Sequence, residues 1–190
     1  MTLHLELLRH GETEIGGFRG SLDDALTAQG WAQMRAAVAE RGGWQRIVSS
    51  PLQRCARFAE ELAQARQLPL RYMAELQELH FGDWEGCSAA QLMETDERGL
   101  GLFWNDPYGF TPPRGEPMQA FAERVHCALR QLYAEHAGER LLLVVHGGVI
   151  RLLLAQARGL PREHLLQVEA GHAGMFALRL DADLRLSETF

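Results

Sequence analysis

A chain of 190 residues with 46% apolar and 23% charged side chains has the make-up of an ordinary soluble globular protein, long enough for one substantial core. The net charge of -6 leaves no basic surface for nucleic acid or anionic lipid, so the cations that meet any anionic substrate must be gathered locally. The longest uncharged apolar stretch, Leu141 to Ile150, is about half of what a membrane span requires. Met1 to Glu6 carries no basic region ahead of an apolar segment, so the expectation is a cytoplasmic protein without a secretory signal. Cys55, Cys87 and Cys127 are odd in number and widely spaced, as suits free thiols in a reducing compartment.

In chain order, Leu3 to Leu8 predicts a buried strand running straight into Arg9, His10 and Gly11. The glycine-rich stretch from Gly11 to Ala25 is a loop long enough to suspect function. Thr27 predicts the cap of a helix burying Trp31, Met34 and Val38, stopped by Gly42-Gly43. Gln45 to Ser49 reads as a second strand. Ser50 is the expected N-cap of the next helix, with Pro51 at its first position. Leu52, Cys55, Ala59 and Leu62 form that helix's buried stripe, which leaves Arg54 in the first turn on another face, toward the strand ends.

Pro69 to Met73 predicts a third strand, followed by a loop from Glu75 to Gly86 rich in carboxylates and aromatics and without a clean period. Ser88 with Gln91 predicts a capping box. Arg98 to Pro117 reads as irregular, and the region of about 80–117 as a lid or insertion within one domain spanning 1–190. Met118 to Tyr133 traces the longest amphipathic helix, with Gly138 closing it. Leu141 to Val145 is the clearest buried strand, ending in His146-Gly147-Gly148, and Val149 to Ala157 is the helix after it. Met175 to Leu186 reads as a hairpin at a sheet edge. Alternating strands and helices predict an α/β fold, a three-layer α/β/α sandwich around a mainly parallel sheet whose strand ends share one rim.

That rim carries a candidate phosphoryl-transfer site. Such chemistry needs cations around the phosphoryl oxygens, an in-line nucleophile and an acid for the departing oxygen. Arg9 and Arg54 can grip phosphate in bidentate fashion, and His146 adds a third donor, cationic if a bound dianion raises its pKa. His10 is the candidate nucleophile; it must be neutral, with one ring nitrogen tied to a backbone carbonyl near Gly11. Glu78 is the candidate acid, with Phe81 and Trp84 as desolvating neighbours; Glu75, Asp83 and Glu85 compete for the role. His80 is a candidate wall contact. Trp104 and Tyr108 are expected to pack the lid, although stacking on a base would also suit them. His4, His126, His136, His164 and His172 read as surface or packing residues.

Four segments together resemble the motifs of the histidine phosphatase superfamily, also called phosphoglycerate mutase-like. They are Leu8-Arg9-His10-Gly11-Glu12-Thr13, Ser49-Ser50-Pro51-Leu52-Gln53-Arg54, Glu78 to Gly86, and Val145-His146-Gly147-Gly148-Val149-Ile150. The resemblance implies a phosphohistidine at His10, an acid at Glu78, a phosphate pocket of Arg9, Arg54 and His146 with Gly147 beside it, no metal or other cofactor, and a mixed six-stranded sheet. Gly16 stands where the family often has a phosphate-holding asparagine, which makes Arg19 a candidate substitute. The segment from Phe103 to Pro107, with Pro113 to Glu116 and Phe121 to Val125, looks most like the α-ribazole-5'-phosphate phosphatases of cobalamin synthesis. Arg114 and Pro117 depart from that pattern, standing where a glycine and a serine or threonine are common.

The implied partner is a small phosphorylated metabolite, with no nucleic acid or membrane and with oligomeric state left open. A metal site is the alternative for the histidines, but no HxH or HxxxH pair occurs. For the whole protein the alternatives are a broad-specificity phosphatase, a phosphoglycerate mutase-type phosphomutase, and a silent module that binds phosphorylated ligands without turnover.

Overall fold

A computed structural model describes residues 1–189. Among these, six strands form one sheet in the order β3-β2-β4-β1-β5-β6. They are β1 (Leu3–Arg9), β2 (Arg46–Ser49), β3 (Leu70–Tyr72), β4 (Arg140–Val145), β5 (Met175–Leu180) and β6 (Leu186–Glu188). The four strands from β3 to β1 run parallel, while β5 pairs antiparallel with both β1 and β6, so the sheet is mixed and mainly parallel as expected.

Side chains alternate across this sheet because successive residues of a strand face opposite ways. Leu3, Leu5 and Leu7 of β1, with Leu141, Leu143 and Val145 of β4, pack on one side against α5 (Met118–His136) and α6 (Gly147–Ala157). Leu8, Leu142 and Val144 pack on the other against α1 (Ala28–Val38) and α2 (Gln53–Arg66). Both faces of the central strands are therefore buried, which explains their unbroken apolar runs. No helix among the described residues is long and apolar enough to cross a membrane.

The 3.6-residue and two-residue periods locate most elements to within a residue or two. Thr27 caps α1 by accepting from Gly30 N at 2.9 Å, although Trp31 is only half-buried there, lying against Phe58. Ser88 and Gln91 complete the capping box of α3 (Ala89–Thr95). Other expectations need correction. Arg98 to Asn105 is not irregular: Glu97–Asn105 forms α4, capped by Asp96 and buried through Leu100 and Phe103. Gly99 and Gly101 weaken its local signal, and tertiary burial outweighs them. Helix α2 starts at Gln53 rather than Pro51: Ser50 Oγ accepts from Leu52 N at 3.3 Å, ahead of the helix, and Asp23 Oδ1, from the preceding loop, accepts from Gln53 N at 2.7 Å. Helix α6 starts at Gly147, which makes His146 its N-cap residue. A 3₁₀ segment at Arg162–Gln167 carries no clear periodic signal in the sequence.

Candidate active site

Strands β1 and β4 are parallel neighbours, with Arg9 opposite Val145, so the residues just past their carboxyl ends are neighbours too. His10 N donates to Val145 O at 3.0 Å, and the rings of His10 and His146 lie 5.4 Å apart, edge to face. His10 is buried, and its Nδ1 lies 2.8 Å from Gly11 O. A carbonyl can only accept, so Nδ1 carries the proton and Nε2 keeps its lone pair. Burial and, next, the Arg54 charge push the His10 pKa well below 6.5, against the opposing pull of the Gly11 bond, so the ring is neutral.

Arg54 has no exposed surface. Its Nη2 donates to Gly20 O at 2.8 Å, Nη1 to Leu22 O at 2.7 Å, and Nε to His146 Nδ1 at 3.3 Å. His146 Nδ1 therefore accepts, and its Nε2–H points to Ser50 Oγ at 2.7 Å. Burial and Arg54 hold this ring neutral as well. Cys55 Sγ lies 3.7 Å from His146 Nε2, but full burial pushes its thiol pKa up, which suits packing rather than nucleophilic attack.

Arg9, Arg19 and Arg151 gather on the open side. Arg9 Nη1 donates to Ala170 O, while its buried Nε has no partner among the described residues. Burial pushes its pKa down to about 10; Glu78 opposes this, and the charges of Arg151, Arg19 and Arg54 add to it. Arg19 donates to Ile15 O and lies 3.6 Å from Asp24, which is also 3.4 Å from Arg54. One buried carboxylate thus braces two guanidinium groups. Arg151, one helical turn beyond Gly147, is held through Nε by Val168 O at 3.0 Å.

Glu78 Oε2 accepts from Gly148 N at 2.9 Å and Oε1 from Leu79 N at 3.0 Å. A Cβ at position 148 would lie 2.2 Å from Oε1, so the second glycine after His146 is the space the acid occupies. Glu78 lines a cavity of about 480 Å³ together with Arg9, His10, Arg19 and Arg151. Its far side is apolar, built from Phe18, Phe81, Phe103, Trp104, Met118 and Phe121.

The other candidate acids lie elsewhere. Asp83 pairs with exposed Arg114, Glu85 accepts from backbone N–H groups of the 20–22 loop, and Glu75 borders a different hollow. His80 does not line this cavity: its Nδ1 accepts from Gly82 N at 3.2 Å and braces that turn, and the residue borders the adjoining hollow that Glu78 and Glu75 share. Tyr108 lies beneath the Arg162 guanidinium, outside the cavity, whereas Trp104 lines it and is 47% exposed. Trp84 is buried among Phe18, Phe103 and Phe110.

Sequence reasoning missed several neighbours of the site. Ser50 reads locally as a helix cap, Arg151 as one charge on an otherwise apolar helix, and Asp24 as a loop residue. His172, expected as a surface or packing residue, is exposed, yet its ring lies 5.7 Å from that of His10. Burial, then Arg9 and Arg19, push its pKa down. No local period marks these positions; their signal is proximity across the fold.

The histidine phosphatase superfamily (branch 1) matches residues 5–188, and the chain belongs to that family and is a phosphatase. It is 34% identical over 166 residues to the adenosylcobalamin/alpha-ribazole phosphatase of Escherichia coli, covering 85% of this chain and 82% of that one. It is 37% identical over 165 residues to a protein of Salmonella arizonae named probable phosphoglycerate mutase, covering 84% and 76%. A mycobacterial glucosyl-3-phosphoglycerate phosphatase superposes with a TM-score of 0.87 at 26% identity, covering 99% of this chain and 97% of the other.

Proposed function

We propose that this phosphatase hydrolyses a phosphate monoester without a metal, through a phosphohistidine at His10, and that its substrate is α-ribazole-5'-phosphate. The observation that carries the mechanism is the pinned, neutral His10 ring beside a cluster of guanidinium groups. Its Nε2 lone pair attacks phosphorus while the bond to the leaving oxygen breaks, and Glu78 hands that oxygen a proton. Water then attacks the phosphohistidine, Glu78 takes back a proton, and the P–N bond breaks to release inorganic phosphate and neutral His10.

Arg9, Arg54 and Arg19 balance the charge on the phosphoryl oxygens. Gly147 leaves room for the cations at this end, since a Cβ there would lie 3.2 Å from Arg9 Nε and from Arg151 Nη1. An arriving dianion supplies the negative charge that draws a proton onto His146 Nδ1, turning it from an acceptor of the Arg54 bond into a donor to phosphate. Ser50 keeps the other nitrogen in place.

The apolar half of the cavity suits a planar, weakly polar leaving group, and the Escherichia coli relative's name agrees with that choice. Residues 1–190 are read as one catalytic domain, with 80–117 as a lid that brings Phe103 and Trp104 to the substrate. The substrate is a small metabolite of the cytoplasm. A second reading, a phosphoglycerate mutase-type or broader enzyme, draws on Arg151, whose guanidinium could take a second anionic group such as a carboxylate.

A turnover screen with α-ribazole phosphate, phosphoglycerates and p-nitrophenyl phosphate in EDTA separates the readings. Hydrolysis of α-ribazole phosphate with the highest kcat/KM, and an enzyme-bound phosphate that is acid-labile and alkali-stable, are expected. Full activity in His10→Ala overturns the mechanism, phosphoglycerate interconversion faster than hydrolysis overturns the substrate, and ligand binding with no turnover overturns both.

A further inference from the structure

The carboxylate of Glu85 sits behind the phosphate end of the site. Its Oε2 accepts from Gly20 N and Leu22 N, both at 3.0 Å, and its Oε1 from Ser21 N at 3.0 Å and Phe81 N at 2.9 Å. Burial pushes its carboxyl up, but the four N–H donors outweigh this and hold it below the ordinary carboxylate range. An acceptor so fully engaged has no proton to give a leaving group.

The residues it grips are the ones that hold Arg54. Gly20 and Leu22 give their N–H groups to Glu85 and their carbonyls to Arg54, at 2.8 and 2.7 Å. The contact has no slack, since a Cβ on Gly20 would lie 1.9 Å from Leu79 O and 2.6 Å from Glu85 Oε1. The same loop is stitched to the acid loop on its other side, where Phe18 N donates to Cys87 O and Gly86 N to Phe18 O, both at 2.8 Å.

We propose that Glu85 is a positioning residue for phosphate binding: it shapes the Gly20–Leu22 turn so that two carbonyls hold the Arg54 guanidinium in the plane that receives the phosphoryl oxygens. The inference rests on the reading of Arg54 as a phosphate ligand. Through Phe81 the same carboxylate also fixes the spacing between that ligand and the segment bearing Glu78, so the arginine and the acid are set by one anchor. Neutralising it removes at least two of its four N–H acceptor contacts, because an amide offers one acceptor oxygen where the carboxylate offers two.

The test compares Glu85→Gln, Arg54→Ala and the double variant for p-nitrophenyl phosphate kinetics and for affinity toward inorganic phosphate as competitive inhibitor. Glu85→Gln should weaken phosphate binding and lower kcat/KM by roughly 10- to 100-fold, the cost of displacing a reacting contact by a fraction of an ångström to an ångström. In affinity for inorganic phosphate, which the acid does not enter, the double variant should be no worse than Arg54→Ala alone, because there both changes remove the same contact. Unchanged phosphate affinity in Glu85→Gln, or losses of that affinity that multiply in the double variant, overturns the proposal. If Glu85→Gln does not fold by circular dichroism, Glu85→Asp keeps the charge with a shorter reach and should show a smaller loss of the same kind; wild-type phosphate affinity there is equally fatal. An Arg54→Ala variant with normal phosphate affinity sinks the parent reading instead, which separates the two failures.

Discussion

Arg54 and His146 share one hydrogen bond, Nε–H to Nδ1 at 3.3 Å, and that bond decides the protonation of the second histidine before any substrate arrives. It also shows why lysine is no replacement. A guanidinium reaches Gly20 O, Leu22 O and His146 at once from one rigid plane, whereas an ammonium is a single point of charge. Arg54→Lys should lower kcat/KM by roughly 10- to 100-fold, the range expected for losing one buried charge-assisted bond. Steady-state kinetics with the folded variant check this; a loss under about threefold would show that charge alone suffices.

Glu78 and Gly148 make the second pair. A methyl group at position 148 would occupy the space of Glu78 Oε1, so Gly148→Ala should displace the acid without touching the arginines. The expected loss in kcat is roughly 100-fold for alkyl phosphates, whose departing oxygen needs a proton. It should be far smaller for p-nitrophenyl phosphate, which leaves as a stable anion. Equal losses on both substrates would place the damage elsewhere.

Burial, reinforced by Arg54, holds His10 and His146 well below 6.5 in the folded chain, while in the unfolded chain both titrate near that ordinary value. Between the two values the unfolded state binds more protons, so stability rises with pH. The contribution is complete above about pH 6.5 and is lost as pH falls below it, by up to roughly 1.4 kcal/mol per pH unit for each ring. Denaturation midpoints should therefore fall from about pH 7.5 to about pH 5.5, and His10→Gln with His146→Gln should flatten the slope. An unchanged slope would mean that other groups drive it.

Arg114 adopts the left-handed backbone conformation at φ 58°, which glycine takes without the penalty of a Cβ. Its ion pair with Asp83 is largely exposed and adds little. Arg114→Gly should stabilise the folded chain by about 0.5–1 kcal/mol, the relief of a Cβ in that conformation less the glycine's extra unfolded entropy. A thermal melt reads this directly, and a lower Tm would show that the Asp83 pair outweighs the backbone strain.

The chain's local chemistry determined a great deal. Apolar runs of two-residue and 3.6-residue period specify β1, β4, α5 and α6, because burial of alternate or helically spaced side chains is a short-range demand. The rim follows from parallel strand order, so the strand-end positions of Arg9, His10 and His146 are enough to put them side by side. The acid loop was different: Glu75, Glu78, Asp83 and Glu85 lie in a stretch without period, and which of them faces the cavity depends on Gly148 and on the 20–22 loop, both distant in sequence. Ser50 reads only as a cap, whereas its hydroxyl meets both Leu52 N and His146, and α4 reads as irregular until Leu100 and Phe103 find the core. Periodicity is written by neighbours along the chain, but a hydrogen bond between two loops is set by where the crossovers carry them, and only the folded molecule brings those partners within reach.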